Sequence, residues 1–133
     1  MNKLAMMMIE PFDPRELGPK PWGQELLIAE TPYYIGKVLI MHAGHRGGLQ
    51  YHERKDETFH LFSGLAIIRS DDGHGGLVST TMTPGMSFRI PPRAAHQVEA
   101  INHCVFFEVS TPVFDDRVNV GAAYGQGERG EAR

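Results

Sequence analysis

The 133-residue chain can close one hydrophobic core and is too short for two ordinary domains, so a functional site must be built inside that core or between two copies of it. Apolar residues at 41% and charged residues at 22% are the mixture of a soluble globular protein, not of a disordered tail or a membrane protein. A formal net charge of −3, without any basic run long enough to track phosphates, gives no electrostatic reason to expect nucleic acid as a partner.

In chain order, residues 1–23 read as an extended N-terminal arm. The apolar stretch Leu4 to Ile9 behind Lys3 is cut off by Glu10-Pro11 well short of a secretory hydrophobic region. Pro11, Pro14, Pro19 and Pro21 forbid regular ladder pairing over much of the arm, which is expected to strap over the domain. Residues 24–120 form the domain itself, because Gly and Pro recur there between short β-prone runs, several alternating apolar and polar residues. The predicted strands are Leu26 to Ala29, Tyr33 to His42, Leu49 to His52, Thr58 to Phe62, Leu65 to Ser70, Val78 to Thr83, Ser87 to Ile90, His96 to Glu99 and Val105 to Ser110. The polar segment Ser70 to Gly76 reads as an exposed hairpin tip carrying a solvated His74. Residues 121–133 are a Gly-rich, charged tail expected to be mobile at its end. The single cysteine, Cys104, excludes an internal disulfide, suits a reducing cytoplasm and reads as a small buried apolar residue beside Val105-Phe106-Phe107.

The informative segment runs from Gly44 to Gly64. Gln50 and His52 are two residues apart, so on a strand they share a face, and the turn that follows can return Glu57 to them on the neighbouring strand. A fourth donor, His96, comes from the strand, turn and strand of Gly85 to His96. A Gln carbonyl, two neutral imidazoles and one carboxylate form a mixed N/O set for one divalent ion, Zn first, with Mn, Fe, Ni or Co also suited, and leave one or two positions for water or substrate oxygens. His42, His45, His60 and His103 fall off the ligand positions and read as surface or pocket-wall residues, His60 being expected to face the cavity because it shares strand parity with Thr58.

These spacings resemble the cupin family. Gly44, Gln50, His52, Glu57 and Gly64 fall in register on its first motif, and Gly85, Pro91 and His96 on its second, where Arg93 replaces the usual Gly and Ala100 the usual Asn. The resemblance implies an all-β, single-domain double-stranded β-helix, or jelly-roll barrel. Lys20-Pro21-Trp22-Gly23, Lys37, Gly44-X-Arg46, Leu49-Gln50-Tyr51-His52, Glu57, Ile90-Pro91, His96 and Glu108-Val109 are further similar to the type II phosphomannose isomerase cupin, with a weaker echo at Asp115-Asp116 and Tyr124-Gly125.

That resemblance implies an aldose-ketose isomerase of the mannose 6-phosphate type working through a metal-stabilised enediolate. Lys55 and Lys37 align with basic residues of that family. Either is a candidate base only if burial or the metal lowers its pKa, and otherwise is a surface lysine. Arg46 and His60 are the candidate substrate-binding residues. Asn119, Ala122 and Gln126 stand where the family carries charged groups, which leaves open a metal-dependent sugar or small-acid binding module, and less readily an iron dioxygenase. A homodimer is expected, with the arm Glu10 to Trp22 as an exchangeable element, because pairing covers exposed strand edges.

Overall fold

The computed structural model describes residues 6–127, so the first residues of the arm and the end of the tail, where mobility was expected, lie outside the described residues. Eleven strands are present: β1 (Arg15–Lys20), β2 (Gly23–Glu30), β3 (Ile35–Met41), β4 (Gln50–His52), β5 (Glu57–Ser63), β6 (Ala66–Asp71), β7 (Leu77–Met82), β8 (Ser87–Ile90), β9 (His96–Ala100), β10 (Cys104–Ser110) and β11 (Arg117–Asn119). One short 3₁₀ turn, Gly121–Tyr124, follows them. The strands form two antiparallel sheets, of order β1-β2-β3-β10-β5-β8 and β11-β4-β9-β6-β7, which face each other as a jelly roll.

Period-two alternation decides what each strand offers to the interior. On β3 the inward residues are Lys37, Leu39 and Met41, on β10 Phe106 and Glu108, and on β5 Glu57, Phe59 and Leu61, all buried. Leu61, Ala66, Met82, Ala100, Cys104 and Phe106 pack with Leu39, Met41 and Phe59 into one apolar cluster that fills one end of the barrel. At the other end the same inward register delivers Lys37, Glu57 and Glu108, so polar groups replace apolar ones and the interior opens into a cavity. Cys104 is buried, as its sequence setting implied, with its thiol directed at the carbonyls of Leu65 and Asn102.

Nine predicted strands are found, within a few residues at their ends, and the tip carrying exposed His74 joins β6 to β7. Two strands were not anticipated. The arm was expected to avoid ladder pairing, yet Arg15–Lys20 pairs with β2 as the edge strand of the larger sheet. Proline is tolerated on an edge, where its missing N–H has no partner to lose, and the register shift between Glu16 and Pro19 absorbs the misfit. β11 is three residues long and exposed at both ends, too short to leave a periodic signal.

Candidate metal centre

The cavity has a volume of about 360 Å³ and lies between the two sheets. Its floor is Leu39, Met41, Phe59 and Val98. Its polar walls are Gln50, His52 and His96 from the smaller sheet and Glu25, Lys37, Glu57 and Glu108 from the larger, with Lys55 from the β4–β5 turn. Gln50 and His96 are direct partners across β4 and β9, which puts their side chains on one face. His52 follows two residues later on that face.

Nitrogen and oxygen atoms of His52, Glu57 and His96 lie within 4.8 Å of one another, all three residues being buried. Glu57 Oε2 is 3.3 Å from His52 Nε2, and Oε1 is 3.5 Å from His96 Nε2. Donors about 2.1 Å from a tetrahedral ion stand about 3.4 Å apart, so these separations fit one small divalent cation. Both rings present Nε2 because Nδ1 is engaged elsewhere: His52 Nδ1–H donates to Asp116 Oδ1 at 3.0 Å, and His96 Nδ1–H to the Ala94 carbonyl at 2.9 Å. Lys55 Nζ stands 3.1 Å from Glu57 Oε2 but off a hydrogen-bonding direction, which leaves this buried oxygen without a hydrogen-bond partner among the described residues. A buried carboxylate with one oxygen at each of two imidazole Nε2 atoms, and the oxygen toward His52 orphaned, is a group that could hold a cation. Gln50 lines the same cavity.

The electrostatics agree. Burial, reinforced by the negative charge of Glu108, raises the Glu57 carboxyl to about 7 although Lys55 pulls it down. Burial lowers His96 to about 4, and burial with the Lys55 charge lowers His52 against the pull of Asp116. Both imidazoles are therefore held neutral, the form that binds metal.

From this cluster a chain of alternating charges runs along the wall of the larger sheet. Lys55 Nζ stands 3.0 Å from Glu108 Oε2, which is 3.9 Å from Lys37 Nζ. Lys37 donates to Glu25 Oε1 at 2.5 Å, and Glu25 Oε2 is 3.4 Å from Lys20 Nζ. Burial alone would depress the Lys55 pKa, but Glu108 and Glu57 outweigh it and leave the value above that of a free lysine. Burial therefore does not make Lys55 a base in the metal-free chain, where it stands in the cavity as an ammonium. Glu25 shows the complementary balance, burial raising its pKa while Lys37 and Lys20 bring it below the ordinary value.

Asp116 anchors the centre from behind. Beyond its bond to His52, its Oδ2 accepts the backbone N–H of Arg54 at 2.6 Å and of Lys55 at 3.1 Å, tying the β4–β5 turn to the segment entering β11. A carboxylate behind a ligating histidine fixes the tautomer and the ring orientation. Asp116→Asn is expected to weaken divalent-metal binding roughly 10- to 100-fold with the ligands intact, as measured by competition with a chromophoric chelator.

No protein-family model matches the chain, and no curated protein does. Solved structures do. KdgF from Halomonas sp. aligns with a TM-score of 0.67 at 20% identity, covering 77% of this chain and 91% of that one. The capsular polysaccharide assembling protein CapF from Staphylococcus aureus aligns with a TM-score of 0.73 at 19% identity over 83% of this chain, which spans only 32% of CapF. Oxalate decarboxylase from Bacillus subtilis, a protein with Mn(II) centres, aligns with a TM-score of 0.66 at 16% identity over 80% of this chain and 30% of that one. The chain has the cupin fold.

Within this fold the motif positions acquire physical reasons. Gly64 has φ of 100°, and a Cβ there would collide with the His103 carbonyl and the Cys104 thiol. Arg93, in place of the usual glycine, keeps the left-handed conformation with φ of 70°, and its N–H donates to the His52 carbonyl at 2.7 Å. Its guanidinium is held outside the barrel by Glu53 at 2.9 Å and by the Tyr51 ring.

Lys37 and Lys55 line the cavity, whereas the two candidate substrate-binding residues do not. His60 lies on the outer face of β5, stacked on Phe107 with Nδ1 2.8 Å from Ser87 Oγ. Glu57, not Thr58, sets the inward parity of that strand, so the expectation for His60 is reversed. Arg46 bridges Glu99, whose parity opposes that of inward His96 and Val98, and this places Arg46 on the outer side of the smaller sheet. Ala122 is exposed, Asn119 lies on the outermost strand β11, and Gln126 bonds Gln97 away from the cavity. Sequence reasoning assigned no role to Glu25, Glu108 or Asp116. Glu108 and Asp116 had appeared only as parts of resemblance motifs.

Proposed function

We propose that this cupin is a metal-dependent isomerase of a small sugar or sugar phosphate, of the mannose 6-phosphate type, which moves a proton between adjacent carbons of an aldose and its ketose. The observation that carries the reading is the charge chain Lys37–Glu108–Lys55 ending on the His52, Glu57 and His96 cluster within one cavity. Gln50, His52, Glu57 and His96 would hold the ion, Zn by first preference from the mixed N/O donor set, with Mn, Fe, Ni or Co as alternatives. The ion supplies Lewis-acid polarisation of a hydroxyl and carbonyl pair. Glu108, flanked by Lys55 and Lys37, takes and returns the proton, while Lys55 and Lys37 donate hydrogen bonds toward negative charge developing on the substrate. A 360 Å³ cavity has room for one monosaccharide.

The test is exchange of the C2 proton with solvent deuterium, across phosphorylated and free aldoses, with protein reloaded with Zn, Mn, Ni or Co. Exchange abolished by Glu108→Gln supports the reading, and no exchange with any aldose removes it. A second reading, a sugar or small-acid binding module without turnover, draws on the fact that Lys20, Lys37 and Lys55 already have carboxylate partners. It predicts metal-dependent thermal stabilisation by a sugar with no exchange.

We further propose a homodimer acting in the cytoplasm, where a lone thiol stays reduced. Beside the exchangeable arm, the outer face of the larger sheet, where Ile28, Phe62, Phe107 and Val109 are exposed, is the contact surface proposed. Phe107→Asp is expected to convert a dimeric sedimentation mass to that of one chain. A single-chain mass for the unaltered protein contradicts the proposal. No helix among the described residues is long and apolar enough to cross a membrane.

A further inference from the structure

We infer that His42, His45 and His103 form a second, exposed transition-metal site at the end of the barrel away from the cavity opening. The last ladder pair of β3 and β10 is Met41 with Cys104, so the next residue outward on each strand is a histidine, His42 facing His103. The tight turn after His42 brings His45 back to the same place, its N–H donating to the His42 carbonyl at 3.2 Å. This backbone is fixed on both sides, by His42 N–H to Trp22 O at 2.9 Å, Gly44 N–H to Ala100 O at 2.8 Å and Ala100 N–H to His45 O at 2.9 Å.

His42 is the centre of the group, its ring centroid 6.0 Å from that of His103 and 6.2 Å from that of His45. In the metal centre of the cavity the corresponding distance, between His52 and His96, is 5.7 Å. The two groups share a further feature. His45 Nδ1 is 3.2 Å from the Ala43 carbonyl two residues before it, as His96 Nδ1 is 2.9 Å from that of Ala94, and this contact leaves Nε2 as the available ligand atom. His42 and His103 are exposed and His45 half-buried, so the rings have room to turn about their side-chain bonds toward one ion beside His42.

Glu57 pairs with Ser110, seven residues beyond His103 along β10, a separation of roughly 24 Å at about 3.4 Å per residue. The two sites are therefore independent, far beyond the spacing of about 4 Å at which two ions share a substrate. Three imidazole ligands without a carboxylate select Cu(II), Ni, Zn or Co over Mg, Ca or Mn, with the remaining positions open to solvent.

The experiment uses untagged full-length protein stripped of metal, titrated with Cu(II), with bound ion counted by equilibrium dialysis and the coordinating nitrogens read by electron paramagnetic resonance. Wild type should bind one ion more than the His42→Ala/His103→Asn variant, whose metal-free melting temperature should be unchanged because both side chains are exposed. A His52→Ala/His96→Ala variant should keep the extra ion with its imidazole signature. Equal stoichiometry in wild type and the His42/His103 variant overturns the inference, whatever the cavity binds.

Discussion

Replacing Glu57 by glutamine should raise the melting temperature of the metal-free protein at pH 8, lose that gain near pH 4.5, and weaken binding of a divalent ion. The Glu57 side chain is 2% exposed, faces Glu108 through a single lysine, and has one oxygen without a hydrogen bond. Its carboxyl is raised from 4.5 to about 7, so its ionised form is less favourable in the folded chain than in the unfolded one. For a group raised in this way, the stabilising contribution is complete below 4.5 and is lost as pH rises through about 7. At pH 8 the loss is on the order of 3 kcal/mol, which glutamine avoids. In saturating zinc the order should reverse, because the ion stabilises only the chain that binds it. Thermal melts at the two pH values, with chelator and with zinc, measure all of this. A Gln variant less stable than wild type at pH 8 without metal would show that the carboxylate is satisfied by the protein alone.

That Gln50, His52, Glu57 and His96 meet in one cavity was legible in the sequence because it depends on two rules of short range. Residues two apart on a strand share a face, which joins Gln50 to His52, and a glycine bracket fixes the turn that returns Glu57. His96 follows from a second bracket of the same kind, and β4 and β9 pair directly through Gln50 and His96. The wall opposite was not legible in this way. Lys37, Glu108, Lys55 and Glu25 come from β3, β10, the β4–β5 turn and β2, and meet only because β10 is threaded between β3 and β5. That order is a long-range property. A charge alternating with apolar residues reads equally well as a solvated face, which is how buried Lys37 kept the alternative of a surface lysine.

His60 and Arg46 fail for a related reason. One residue of uncertainty in where β5 begins inverts every side chain on it, so counting parity from Thr58 instead of Glu57 pointed His60 inward when it lies on the outer face. Arg46 lies in the loop before β4, where no periodicity applies, and its single bridge to Glu99 decides its side. The strands themselves were easier, since β-prone runs bounded by turn residues recur nine times. The two missed strands are the ones where proline or a length of three residues removes the signal.

Lys55→Met should destabilise the metal-free protein by about 3–5 kcal/mol and yet tighten its hold on a divalent ion. Lys55 is 3% exposed, with Glu108 Oε2 at 3.0 Å and Glu57 Oε2 at 3.1 Å. Without its ammonium the two carboxylates confront each other in the cavity with no cation between them, and Lys37, 3.9 Å from Glu108, relieves only one side. Denaturant unfolding should show the loss at pH 8 and a smaller one at pH 5, where Glu57, raised to about 7, is protonated. Glu108→Gln in the same chain should restore most of it. The effect on metal has the opposite sign, because the ammonium repels an ion bound beside Glu57. A unit charge about 5 Å from an ion of charge +2, at an effective dielectric near 20, contributes several kcal/mol before screening, so a gain of one to two orders of magnitude in affinity is expected. Removing a lysine that acted only as a proton-transfer base would leave metal affinity unchanged. A tighter ion in a less stable chain identifies Lys55 as the charge that balances Glu57 and Glu108 until the metal arrives.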